Sequence, residues 1–336
     1  MNMVNDWWQP RKEELLTIAG DACPIYVYNE ETLNETLFDL LSINALDLLS
    51  YPVHLNPHPK ILRKAFEMGV GFTCISIDEI TRVLNRFPRF SPQRILFVAG
   101  HAPDNDLERA FDTGAHVVVD DLNILKRSPG IFQDRDICIR LPLQDLNETI
   151  SFLTGISKHF PEVSTLIFGN RMDGSANHGK EMMDISGLGD YLETIKDACP
   201  QYRLWLELPD VMVSHAGVLL AEATEAGEEE GTRYIRIDMD MKGRVYDGLR
   251  NVSHQVINLV KRDDEERVIK TRIIGQGKAP EDTMDFMEAP AYVEKGDILL
   301  FTNMGAYEPG REFDKKGRGP APEYYMHARS MCQVKI

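Results

Sequence analysis

The chain has 336 residues, 43% of them hydrophobic, and a formal net charge of -16. Its length supports a large core and, at a soft prior of ~150 residues per domain, two domains; its acidity excludes the clustered cations that nucleic acids or anionic membrane surfaces demand. No run of ~18 apolar residues occurs, and the first sixteen residues, with Trp7, Trp8, Pro10 and several charges, lack a signal-peptide pattern, so the sequence reads as soluble and cytoplasmic.

The five cysteines, at 23, 74, 138, 199 and 332, stand singly without Cys-x-x-Cys spacing, which fits reduced core thiols better than disulfides or zinc. The acidic runs 228–230 and 263–266 fall between strand-like segments and read as solvated turns.

In chain order, Ile25-Tyr26-Val27-Tyr28 is β-branched and aromatic and predicts a strand; the leucines between 33 and 48 predict an amphipathic helix over 32–49. Tyr51-Pro-Val-His-Leu-Asn56 predicts a second short strand with His54 near its C-terminal end. A helix over 61–68 follows, closed by Gly69, then a strand over 71–76 and a helix over 79–85 with Asp78 as its cap. The alternation continues with a strand over 95–98, a helix over 104–112 ended by Gly114, strands over 116–119 and 137–140, a helix over 146–159 and a strand over 165–168.

One unit looks defective: glycines and asparagines between 169 and 179 break any helix before a candidate strand over 183–186. A helix over 191–198 and a strand over 204–207 close the series. Alternation implies parallel pairing, which a closed barrel and an open doubly wound sheet satisfy equally. From Gly217 the pattern changes to strands over 217–223, 234–238, 256–260, 268–274, 298–302 and 324–327, an all-β domain.

Several motifs in this order resemble the fold-type III pyridoxal-phosphate amino-acid decarboxylases, the diaminopimelate, ornithine and arginine decarboxylases. Tyr51-Pro-Val-His-Leu-Asn56 stands where that family has Tyr-Ala-Val-Lys-Ala-Asn. Glu207, Ala216-Gly217-Val218-Leu219, Asp238 with Met241, and Gly305-Ala306-Tyr307 match its glutamate at the pyridine nitrogen, its Ala-Gly-Val-Leu, its Asp-Ala-Gly-Met and its Gly-Ala-Tyr. The resemblance runs from about Pro24 onward. It favours a TIM-like (β/α)8 barrel, one βα unit truncated, over 24–214, with a C-terminal β domain over 215–336 against which 1–23 packs.

The resemblance also implies a cofactor, and the departures from the family fall on the residues that would hold it. His54 replaces the Schiff-base lysine, and an imidazole offers no primary amine. Glu207-Leu-Pro-Asp210 replaces Glu-Pro-Gly-Arg, putting an acid where a phosphate-binding cation is expected. The phosphate-cradling Gly-Gly-Gly turn survives as Ser186-Gly187-Leu188-Gly189, and the stacking histidine is missing from Leu166 to Asn170. Where diaminopimelate enzymes hold substrate with the arginine of Arg-Pro-x-Leu-Tyr, the aligned residues are Tyr246-Asp-Gly-Leu-Arg250, with Tyr246 at the arginine's position. Lys278 stands at the partner-loop cysteine, in a loop of which only Asp282 persists.

The expectation is a catalytically degenerate decarboxylase-fold protein, a pseudoenzyme or repurposed subunit that does not hold pyridoxal phosphate as a Schiff base. The remnant cofactor pocket consists of Glu207, Gly187, Gly189 and Tyr307. The alternative is an active carboxy-lyase working through His54 and Asp282 as acid and base, or with pyridoxal phosphate on Lys278. The family's shared active site implies a homodimer or a heterodimer with an active paralogue, and the altered pocket suits a small amino-acid or carboxylate ligand. No metal site is expected: Pro57 and Pro59 forbid the helix that would align His54 with His58, and Asp120-Asp121 and Asp238-x-Asp240 read as solvated strand ends.

Overall fold

The computed structural model describes residues 6–98, 100, 102–169, 185–239, 254–260, 267–276, 283–306, 321–327 and 330–334. These divide into two compact units, one over 36–209 and the other combining 2–35 with 210–336.

The first unit is a closed parallel barrel of seven strands among the described residues: β2 (Leu48–Pro52), β3 (Gly71–Cys74), β4 (Ile95–Val98), β5 (His116–Val119), β6 (Ile137–Leu141), β7 (Val163–Gly169) and β8 (Arg203–Glu207). β8 pairs back onto β2 through Leu48↔Trp205 and Leu49↔Leu206, which closes the ring. Strands in such a ring are covered on both faces, so they read as apolar runs, not as alternating ones. Leu96, Val118, Cys138, Ile167 and Trp205, one from each of five consecutive strands, form a single buried cluster with Leu48 packed against it.

Helices separate the strands: α3 (Pro59–Glu67), α4 (Ile77–Arg86), α5 (Asp104–Thr113), the short α6 (Asn123–Arg127) and α7 (Pro129–Phe132), α8 (Leu146–His159) and α9 (Ile185–Ala198). Gly69 and Gly114 take φ of +79° and +86° just after α3 and α5, left-handed turns that end each helix without a Cβ clash.

The second unit holds α1 (Lys12–Ala22), α10 (Pro209–Val213) and a nine-stranded sheet. Its strands are β1 (Ile25–Asn29), β9 (Gly217–Glu229), β10 (Thr232–Ile237), β11 (Val256–Asn258), β12 (Val268–Ile274), β13 (Thr283–Pro290), β14 (Ile298–Phe301), β15 (Glu323–His327) and β16 (Ser330–Val334). The main order is β13-β12-β10-β9-β1-β15-β16, with β14 pairing both β9 and β11. Trp8, Leu15, Ala19, Ile25, Val27, Val218, Leu220, Leu300 and Met326 share its core. Between β8 and β9 the chain passes close to a later loop. A Cβ on Gly305 would lie 1.9 Å from the carbonyl oxygen of Val213, so that position admits only glycine.

The structure corrects several expectations. The strand over 25–28 does not open the barrel: β1 lies antiparallel to β9 and parallel to β15, inside the second unit, so the span 24–214 is not one domain. The helix expected over 32–49 is α2 (Glu30–Leu41). Leu48 and Leu49 belong to β2, because a leucine-rich run carries the same apolar signal through a helix and into a buried strand. Ser76, not Asp78, caps α4, its hydroxyl accepting from the Glu79 amide at 3.2 Å. Of the candidate strand over 183–186, the described residues Ile185 and Ser186 begin α9. Among the described residues no helix is long and apolar enough to cross a membrane.

Candidate functional site

The C-terminal ends of parallel barrel strands are where loops bring side chains together, and there this barrel buries a chain of polar groups. Glu207 ends β8 at 2% exposure. One carboxylate oxygen accepts from Nη1 of Arg140 on β6, the other from the hydroxyl of Thr73 on β3. Thr73 has one proton and gives it to Glu207, so across the 2.8 Å to Ser50 on β2 the serine is the donor.

Nε of Arg140 lies 2.9 Å from Asp120, the first residue after β5, and the guanidinium side chain is fully buried while Asp120 keeps 19% exposure. Burial alone would push the guanidinium down. The charges of Glu207 and Asp120, with their hydrogen bonds, outweigh it and hold Arg140 above its ordinary value. Gly169 makes the crossing between β7 and β8 possible, since a Cβ there would fall 2.2 Å from the Glu207 carbonyl oxygen.

His54 stands at the same end, in the turn that follows β2. The expected strand over 51–56 stops at Pro52, where the ladder gives way to a tied loop. Val53 donates its amide to the Thr73 carbonyl at 2.9 Å and Leu55 to the Pro52 carbonyl at 3.2 Å. The Tyr51 hydroxyl donates to the Asn56 carbonyl at 2.9 Å. The imidazole is half-buried, with Nδ1 shielded from solvent and lacking a hydrogen-bond partner among the described residues. Burial lowers its pKa; Glu207 opposes that and Arg140 adds to it. Burial therefore favours the neutral imidazole at His54.

Of the expected site residues, Glu207 and His54 share this end of the barrel. Gly187 and Gly189 lie in the first turns of α9, so what reads as a glycine turn is helical backbone. Asp210 falls in α10, and Lys278, Asp282, Tyr307, Met241 and Asp240 lie outside the described residues. Asp238 satisfies the backbone beside it, exchanging hydrogen bonds of 2.9 and 3.0 Å with Glu222.

Two contributors, Thr73 and Arg140, are not singled out in the sequence reading, and Asp120, read there as a solvated strand end, is instead the second acid beside Arg140. The signal for Arg140 is present in the sequence. It is the one cation in the apolar run Ile137-Cys-Ile-Arg-Leu141, a position that buries a charge unless an acid meets it.

Comparison with known proteins agrees with this architecture. Residues 41–160 match the family described as pyridoxal-dependent decarboxylase, pyridoxal binding domain. Over 152 residues, 44% of the chain, the sequence is 28% identical to the ornithine decarboxylase of Leishmania donovani, and that stretch spans 22% of the latter's length. The arginine decarboxylase of Paramecium bursaria Chlorella virus superposes with a TM-score of 0.73 at 17% identity, covering 94% of this chain and 100% of that one. The diaminopimelate decarboxylase of M. jannaschi superposes at 0.72 and 15% identity, covering 96% and 91%. At such identities the likeness to the solved structures is one of fold.

Proposed function

Starting from a chain that is of the fold-type III pyridoxal-phosphate decarboxylase kind, in sequence over 41–160 and in fold throughout, we propose a catalytically degenerate member of that kind. In this reading it is a pseudoenzyme or repurposed binding subunit that does not hold pyridoxal phosphate as a Schiff base. The observation that carries it is His54: the position that matches the family's lysine holds an imidazole, in the turn after β2. A Schiff base needs a primary amine there.

Two further features support the reading. Both oxygens of Glu207 are engaged within the protein, by Arg140 and Thr73. In sequence, an acidic residue, Asp210, stands where the family motif has its arginine, a substitution that disfavours a phosphate. The residues present do not suit a covalently held pyridoxal phosphate. Such a protein acts through a dimer with itself or with an active paralogue, or through a small amino-acid or carboxylate ligand.

The unmodified protein should purify colourless and give no aldimine absorption when titrated with pyridoxal phosphate. His54→Lys alone should not restore the band, whereas His54→Lys with Asp210→Arg is the variant most able to. A stoichiometric, borohydride-trappable adduct on the unmodified protein would overturn the reading, and peptide mapping to Lys278 would favour an active enzyme with a relocated amine.

The shielded Nδ1 of His54, without a hydrogen-bond partner among the described residues, favours a second reading, an acid–base enzyme needing no cofactor, with Asp282 as the complementary group. In that case His54→Gln abolishes turnover of a carboxylic-acid substrate without unfolding the barrel. The pseudoenzyme reading has no turnover to lose.

A further inference from the structure

α8 carries on its outer side a surface groove of about 750 Å³, whose lining includes Leu122, Glu148, Phe152, Gly155, His159 and Phe160. Glu148, Phe152, Gly155 and His159 follow one another at intervals of four, three and four residues. That spacing draws a single stripe along a helix face and is the seam by which two helices pack.

All four are exposed, and two are hard to explain within one chain. Phe152 leaves 41% of an aromatic side chain in water. Gly155 weakens the middle of a helix, yet a Cβ there would meet nothing within 4 Å, so no contact among the described residues requires the glycine.

The stripe is self-complementary. When two copies of a helix lie antiparallel about a two-fold axis between 153 and 154, Phe152 of each faces Gly155 of the other, a large ring against a notch. Glu148 of each then faces His159 of the other. Asp145 caps the N-terminus of α8 and Glu148 lies in its first turn, while Lys158 and His159 lie in its last, so antiparallel docking sets the acidic end of one helix against the basic end of its mate. His159 is oriented for this: its Nδ1 donates to the Gly155 carbonyl at 2.9 Å, which leaves Nε2 as the nitrogen facing outward.

We propose that this face of α8 is an isologous interface between two copies of this chain, with Phe152 seated over Gly155 and Glu148 paired with His159 at either end. The seam from 148 to 159 spans roughly 17 Å at ~1.5 Å per residue. The contact is distinct from any dimer through the barrel mouth and does not rest on the reading of that site.

Sedimentation velocity of the full chain across micromolar concentrations tests it. The expected result is a self-association step that Phe152→Glu weakens at least about tenfold, as loss of a central aromatic anchor does. Glu148→Lys and His159→Glu should each weaken the step, and the double variant Glu148→Lys/His159→Glu should restore it to within roughly twofold, since the charges then face each other reversed. If Phe152→Glu does not fold, the charge-reversal set decides alone. An association through another surface persists in every variant, while only the α8 step is lost. A chain that stays monomeric throughout, or a self-association indifferent to all three single changes, overturns the proposal.

Discussion

Arg140 is the residue on which the polar chain at the barrel mouth depends, because it is the cation between two acids, one just after the adjacent strand β5 and one ending β8, two strands away. Removing one partner of a buried pair leaves the other charge uncompensated, at a cost of about 3–5 kcal/mol. Arg140→Met is therefore expected to lower unfolding free energy by that amount in urea titration. Glu207→Gln keeps an acceptor for Thr73 and should cost less. His54→Ala should change stability by no more than about 1 kcal/mol, since a half-buried ring whose Nδ1 has no partner among the described residues has little pairing there to lose. A larger loss in the same titration would make His54 a structural residue. At this scale Glu207 and His54 were legible because each sits within a recognisable string of neighbours. Arg140, Asp120 and Thr73 were not, because their partners arrive from strands up to 134 residues away in sequence.

Among the helices, α3 gives the clearest measurable case. Pro59 occupies its first turn, and Nδ1 of His58 accepts from the Lys60 amide at 3.3 Å, so the cap works only while that nitrogen is unprotonated. Burial first, then Lys60 and Arg86, lower the pKa of His58 from 6.5 to about 4. The unfolded chain therefore binds a proton that the folded chain refuses. This contribution is whole above pH 6.5 and is lost as pH falls through 6.5 toward about 4, by up to ~3 kcal/mol. His58→Asn keeps a capping acceptor that does not titrate, so the wild-type curve of stability against pH should bend downward more steeply over that window than the variant's. Element boundaries were legible where a terminator is local, as at Gly69 and Gly114, and illegible where two elements share one apolar pattern, as from α2 into β2.

At the scale of the molecule, the barrel was legible from alternation only with the help of the resemblance, and the β domain from a change in rhythm at Gly217. The placement of β1 was not legible. A strand followed by a helix reads as the opening of a βα series, and nothing nearby in sequence announces that its neighbours begin at Gly217 and Glu323. Val27, wholly buried among Leu220, Leu300 and Met326, tests that placement. Val27→Asp introduces an unpaired charge and should destabilise the second unit by more than about 4 kcal/mol. In a Trp205→Phe background the remaining Trp7 and Trp8 report on that unit; their emission should shift to the red at lower urea than in the parent, while the barrel's circular dichroism persists.

The position of β1 also governs the order in which a newly made chain can settle. Translation at ~5–20 residues per second separates Asn29 from the end of β15, about 300 residues later, by roughly 15–60 s. During that interval the barrel strands can pair among themselves as they emerge, but Ile25 to Asn29 must wait with both edges open until β9 is made and with one edge open until β15 is. An apolar strand left unpaired for that long is what chaperones bind and what seeds aggregation. The amphipathic helix α2 that follows it begins Glu30-Glu31 and carries Glu35 and Asp39, so the waiting strand is flanked by acidic side chains, the kind of charge that opposes edge-to-edge association.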